Sequence, residues 1–125
     1  MRDVDASAAW YENVLGFYRV GGYTSADGSF RKVFLRHAAV PARLTLAQHR
    51  EGDDAPFDET RVGLDHMAFA VADRAALDEW ADRFAAAGVP HSPVASANSI
   101  PGAAVLVFRD PDNIQLEFFY QPADG

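Results

Sequence analysis

Two rhythms of apolar and polar residues divide this chain. A helical rhythm runs over about 5–15 and again over about 74–87. Two-residue alternation predicts strands near 17–23, 29–37 and 42–49 in the first half. It predicts further strands near 63–71, 90–96, 103–109 and 114–121 in the second half. Between the halves, at about 50–61, lies an acidic, Pro-containing linker without either rhythm.

The two halves repeat one another. Asp3 stands seven residues before Trp10, and Asp73 seven residues before Trp80. Each segment then runs on through a helical pattern into a Gly followed by an apolar residue, Gly16-Phe17 and Gly88-Val89. In both, the Asp can cap the helix start and the Gly can take the left-handed position that ends it. Further on, Lys32–Arg36, a turn and Arg43–Gln48 match Val105–Arg109, a turn and Gln115–Tyr120. Asp110-Pro111-Asp112-Asn113 is a turn signal, because Pro presets a bend and Asn tolerates positive φ. Ala26-Asp27-Gly28 marks a hairpin tip. The second half therefore reads βαβββ and the first αβββ. The partner of the strand at 63–71 falls mostly before Met1, so another chain, an earlier segment or a rearranged edge is expected to complete that sheet.

Alternation also assigns faces. Met67, Phe69 and Val71 form one row of the strand at 63–71, and Leu64, His66, Ala68 and Ala70 the other. On the last strand Ile114, Leu116, Phe118 and Tyr120 oppose Gln115, Glu117, Phe119 and Gln121. In the first half Leu44 and Leu46 oppose Arg43, Thr45, Ala47 and His49. Two amphipathic helices would cover the large apolar rows. The small and polar rows suit a concave, ligand-lined surface. Thr45, Ala47, His49, Ala68 and Phe119 are the candidate lining residues, and His66 and Glu117 project from the same rows.

Composition narrows the function classes. The 125 residues suffice for one domain with a core. Hydrophobic residues at 49% and charged residues at 23% are the balance of a soluble globular protein. No apolar run approaches the roughly 18 residues needed to cross a bilayer, and Met1–Asp5 does not read as a secretory signal. There is no cysteine, which removes disulfides, thiolate metal sites and a cysteine nucleophile. A cytoplasmic protein is the default expectation. With 11 basic residues scattered among 18 acidic ones the net charge is −7, which argues against nucleic-acid binding. Neither a phosphate-binding glycine motif nor a nucleophile elbow occurs.

An imidazole and a carboxylate aimed into one cavity suit a divalent cation with positions left open for substrate or water. The alternative is a hydrogen-bonded strand histidine beside a solvated strand carboxylate, and periodicity does not separate the two. His49, in its polar Gln48-His49-Arg50 setting, reads as a solvated strand end, an acid–base group or a substitute ligand. His37 and His91 lie next to turns and carry no signal beyond solvated polarity. Trp10 and Trp80 read as core anchors. The loop at 96–102, Ser-Ala-Asn-Ser-Ile-Pro-Gly, predicts only flexibility.

The segments Asp5–Phe17, Leu64–Val71 and Val107–Phe119, together with the repeat, resemble the vicinal-oxygen-chelate superfamily of glyoxalases, bleomycin-resistance proteins and extradiol dioxygenases. The resemblance covers essentially the whole chain. It implies an α+β fold of two βαβββ modules, the first lacking its first strand, forming a curved mixed sheet around a cavity with helices outside. Modules would span about 1–50 and 62–122 of a single domain, with a linker at about 51–61. In that family, a His on the first strand and a Glu on the last strand of the second module bind metal, and His66 and Glu117 stand there. Thr45 occupies the place of a glyoxalase I glutamate, which argues against a four-ligand glyoxalase site.

The resemblance implies a divalent metal (Fe, Mn, Ni or Zn), a small substrate with vicinal oxygens and a lyase, isomerase or dioxygenase reaction. Glu117 would serve as both ligand and base. It also admits a metal-free binding protein that sequesters its ligand, and it implies a homodimer.

Overall fold

A computed structural model of the chain describes residues 1–97 and 99–123. Asn98 in the 96–102 loop, for which flexibility is expected, lies outside the described residues. The order of elements is α1 (Val4–Leu15), β1 (Tyr18–Thr24), β2 (Phe30–His37), β3 (Val40–His49), β4 (His66–Ala70), α2 (Arg74–Ala87), β5 (Ala95–Ser96), β6 (Ala104–Arg109) and β7 (Gln115–Tyr120). The fold is mixed α+β, with two sheets and, among the described residues, no closed barrel. The chain forms two compact units, Met1–Phe57 with Asp110–Asn113, and Asp58–Arg109 with Ile114–Gly125.

In the first unit, β1, β2 and β3 form an antiparallel meander. The Asp3 carboxylate accepts from the Asp5 and Ala6 amides and starts α1. Gly16 at φ 77° ends it, returning its N–H to the Glu12 carbonyl. Val4, Ala8, Tyr11 and Leu15 recur at helical spacing and are buried, as are Val33, Leu35 and Leu46 of the sheet against which α1 packs. Turn residues 110–113 belong to this unit, and their carboxylates do more than make a bend. The Tyr11 hydroxyl donates to Asp110 at 2.8 Å, and the Ser7 hydroxyl and the Arg2 Nε–H donate to Asp112 at 3.1 and 2.9 Å. Burial and the Asp110 carboxylate push the Tyr11 phenol far above its usual range. Asp112 is also buried, which raises its pKa, but Arg2 and Ser7 outweigh this and hold it below the ordinary carboxylate value.

In the second unit the strand order is β4-β7-β6-β5, with β4 parallel to β7 and the other pairs antiparallel. Asp73 caps α2 through the Ala76 amide, and Gly88 at φ 69° closes it. Phe84 and Leu77 are buried under α2 with Leu106, Phe108, Leu116 and Phe118 of the sheet. The rings interlock, with centroids 4.7 Å apart for Phe84–Phe108, 4.6 Å for Trp80–Phe118 and 5.0 Å for Phe108–Phe118.

Three expectations need correction. The strand expected at 90–96 is reduced to β5 and one bridge, His91 to Phe108, because Pro90 and Pro93 have no amide hydrogen to give a ladder. Trp10 and Trp80 are half-buried, and Tyr11, Phe84 and Phe108 are the fully buried aromatics. His37 and His91 are structural more than solvated. The His37 ring meets Phe17 edge-on at 5.1 Å, and His91 lies 5.9 Å from Phe84 with Nδ1 2.7 Å from the Ser92 carbonyl oxygen. No helix among the described residues is long and apolar enough to cross a membrane.

Candidate metal centre

The last strand of the second unit carries the expected carboxylate. On β7 the even positions Leu116 and Phe118 are buried against α2, so Glu117 and Phe119 emerge on the opposite face. Register then fixes the neighbours of Glu117. Ala68 of β4 lies directly across on one side and Val107 of β6 on the other. Phe119 lies across from Ala70 and Val105. His66 opens β4 on the same face, diagonal to Glu117, and its Nε2 is 3.9 Å from Glu117 Oε1. The His66 side chain is 41% exposed and that of Glu117 18%, so the pair sits at a solvent-reachable edge of the sheet.

A third residue completes the arrangement. Asp65, immediately before β4, places Oδ1 2.6 Å from His66 Nδ1. A carboxylate in that position holds the proton of a neutral imidazole on Nδ1. The Nε2 lone pair is then left facing Glu117. Sequence alternation missed Asp65, because that residue falls on the opposite parity and reaches the imidazole only from outside the strand. One residue of polar sequence before a strand histidine is the signal that could have found it.

The pair has the chemistry of a cation site. Two donors bonded to one zinc-sized ion at about 2.1 Å each can stand at most about 4.2 Å apart, and 3.9 Å lies within that limit. The imidazole nitrogen and carboxylate oxygen suit a borderline or hard divalent cation. Among the described residues no group of three or more His, Asp or Glu side chains converges as a ligand set. The neighbouring charges on this sheet are neutralised elsewhere. Arg109 Nη1 and Nη2 donate to Glu59 at 3.1 and 2.8 Å, and Nη2 also donates to the Gln115 side chain. Arg109 holds the Glu59 carboxyl down at about 2.

His66, Glu117, Ala68 and Phe119 thus share one face of the second unit. Thr45, Ala47 and His49 lie on β3 of the first unit, on the face opposite buried Leu46. Thr45 is paired with Phe34, Ala47 with Lys32 and His49 with Phe30. His49 is exposed at the strand end, its ring 6.0 Å from that of Phe30.

Each unit lays one capped helix on a sheet, and the second sets a histidine and a glutamate on neighbouring strands. Residues 1–118 match the Glyoxalase/Bleomycin resistance protein/Dioxygenase superfamily, and the chain belongs to it. Among solved structures it is similar to a glyoxylase/bleomycin resistance protein/dioxygenase domain from Frankia sp. EAN1pec, with 31% identity over 98% of this chain and 91% of that one, and a TM-score of 0.84. It is also similar to a lactoylglutathione lyase from Agrobacterium tumefaciens, with 27% identity, 95% and 86% coverage and a TM-score of 0.69. A fosfomycin resistance protein from Listeria monocytogenes, complexed with Mn(II), shares the fold at 18% identity, 94% and 83% coverage and a TM-score of 0.64. No curated protein matches the sequence.

Proposed function

We propose that this protein is a divalent-metal-dependent enzyme acting on a small substrate with vicinal oxygens, by lyase, isomerase or dioxygenase chemistry. The observation that carries this reading is the His66–Glu117 pair, 3.9 Å apart, with Asp65 bonded to the far ring nitrogen. His66 Nε2 and Glu117 Oε1 would hold the cation, which would supply Lewis-acid polarisation of the substrate oxygens.

The chain's own groups perform the remaining tasks. Asp65 fixes the imidazole's tautomer and orientation. Glu117 is the carboxylate placed to take a proton from a carbon next to the polarised oxygen and to return it. Ala68 and Val107 flank it with short or branched apolar side chains that leave its free oxygen approachable. Phe119 offers an apolar surface one step along the same row. The reading takes the chain as one glyoxalase-like domain of two modules, 1–50 and 62–122, that works in the cytoplasm as a homodimer. The outer edge of β3, which carries no strand among the described residues, is a surface that pairing would cover.

Metal content of protein purified without chelators tests the proposal. Near one equivalent of Mn, Fe, Ni or Zn in the parent, lost in both His66→Ala and Glu117→Ala, supports it. A parent that stays metal-free after incubation with all four cations contradicts it. A second reading then takes over, a metal-free protein that sequesters its ligand, favoured by the fact that no third donor joins the pair among the described residues.

A further inference from the structure

The sheet of the first unit carries opposite charge balances on its two faces. Strands β1–β3 contain no Asp or Glu, yet hold five of the chain's 11 basic residues: Arg19, Arg31, Lys32, Arg36 and Arg43. Two of these turn toward α1 and are neutralised there. Arg31 donates to Asp5 at 2.9 Å, and Arg19 reaches Glu12 and Asp5 at 3.3 and 3.4 Å. The other three lie on the opposite parity, and among the described residues none has a carboxylate partner.

Register brings these three together with rings. Arg36 and Arg43 stand directly across from each other, an arrangement in which like charges repel. Both are exposed. The Arg43 guanidinium lies over the Phe34 ring, 4.6 Å from its centroid, and the Lys32 ammonium lies over Phe30 at 4.8 Å. Phe34 is flanked across the sheet by Gly21 and Thr45, and its ring leans over the glycine, with Cδ2 3.5 Å from where a Cβ on Gly21 would stand. A chain of net charge −7 thus keeps an uncompensated cationic and aromatic surface on one sheet face.

We propose that this face, turned away from α1, binds a small aromatic carboxylate. The Arg36–Arg43 pair would grip the carboxylate, and the ring would lie against the edge of Phe34 that the Arg43 guanidinium leaves uncovered. A shared anion removes the repulsion between the two arginines, and two guanidinium forks match a planar carboxylate better than ammonium groups do. The flat apolar body follows from the ring and the small neighbours beneath it. A cationic ligand is disfavoured on the same surface. The proposal does not depend on the metal reading, since it uses none of the groups assigned to the cation.

Three probes of nearly one shape separate charge from shape: benzoate, neutral benzamide and cationic benzamidine. They are titrated into isotopically labelled full-length protein at fixed ionic strength and followed by amide chemical shifts. Benzoate is expected to shift residues 34, 36, 43 and 45 saturably and to bind at least tenfold more tightly than benzamide, with no effect from benzamidine. Arg43→Gln and Arg36→Gln are each expected to weaken benzoate at least tenfold, with dispersed spectra and unchanged metal content. Benzamidine binding as tightly as benzoate overturns the proposal. So does benzoate binding unchanged in Arg43→Gln, or a failure of benzoate to saturate at these residues.

Discussion

The two units share one plan, a capped helix laid on a sheet, yet they secure and use it differently. In the second unit α2 is held by interlocked rings, with Phe84 against Phe108 and Trp80 against Phe118. In the first unit α1 is held by buried polar bonds as well, from Tyr11 to Asp110 and from Ser7 to Asp112, with Arg2 just before the helix adding a half-exposed bond to Asp112. The open faces differ just as sharply. Glu117 and Thr45 both sit on the last strand of their unit, but only Glu117 has a parallel strand, β4, bringing a histidine beside it.

The two units also match at one backbone bond beside their last strands. The Met1 amine donates to the Ala47 carbonyl at 2.6 Å, as the Val71 amide donates to that of Phe119 at 2.9 Å. A duplicated backbone therefore fixes where side chains can stand, and the residue placed at each position decides what chemistry a face presents.

If ring packing secures α2, Phe84→Ala has the largest effect on stability. A cost of about 3–5 kcal/mol is expected from burial lost and cavity left, read as a lower urea midpoint. An effect below about 1 kcal/mol, against that range, would place the weight of the second unit elsewhere. Tyr11→Phe keeps the ring and removes only the bond to Asp110. It is expected to cost about 1–3 kcal/mol, the range for disturbing a buried, charge-assisted hydrogen bond, in the same assay.

The helix caps give a sharper internal comparison. Asp3 accepts from two amides and Asp73 from one. Each substitution by Ala is expected to cost on the order of 1 kcal/mol, with Asp3→Ala the larger. Equal effects would mean that the second Asp3 bond contributes nothing.

The smallest effect is on acid stability. Folding depresses the carboxyls of Asp112 and Glu59, the latter to about 2. Each then contributes stability that is complete above its unfolded pKa, about 3.9 for Asp and 4.3 for Glu, and lost as pH falls through the folded value. Unfolding midpoints should decline from pH 5 toward pH 2, and Asp112→Asn should flatten that decline more than Glu59→Gln, whose partner pair is more exposed. Parallel declines in all three proteins would contradict the assignment.

Much of this was legible in the chain itself. Asp3 and Asp73 before the helices, Gly16 and Gly88 after them and the alternation around Glu117 are local signals, and local signals survive in sequence. The face shared by His66 and Glu117 was readable for the same reason. What was not readable depends on partners distant in sequence. Asp110 and Asp112 looked like turn residues until α1 was seen to supply their donors. The basic residues looked scattered because only strand register places Arg36 across from Arg43. Asp65 was hidden because its role depends on where β4 begins, and strand ends are weakly encoded.

Titrating Mn(II) into the labelled protein at substoichiometric ratios shows whether His66 and Glu117 hold a cation between them. Paramagnetic broadening should appear first at the amides of residues 66, 68, 107 and 117 and vanish in Glu117→Ala. Broadening centred instead on the acidic segment at 51–54, or unchanged in that variant, would rule out a cation at His66 and Glu117.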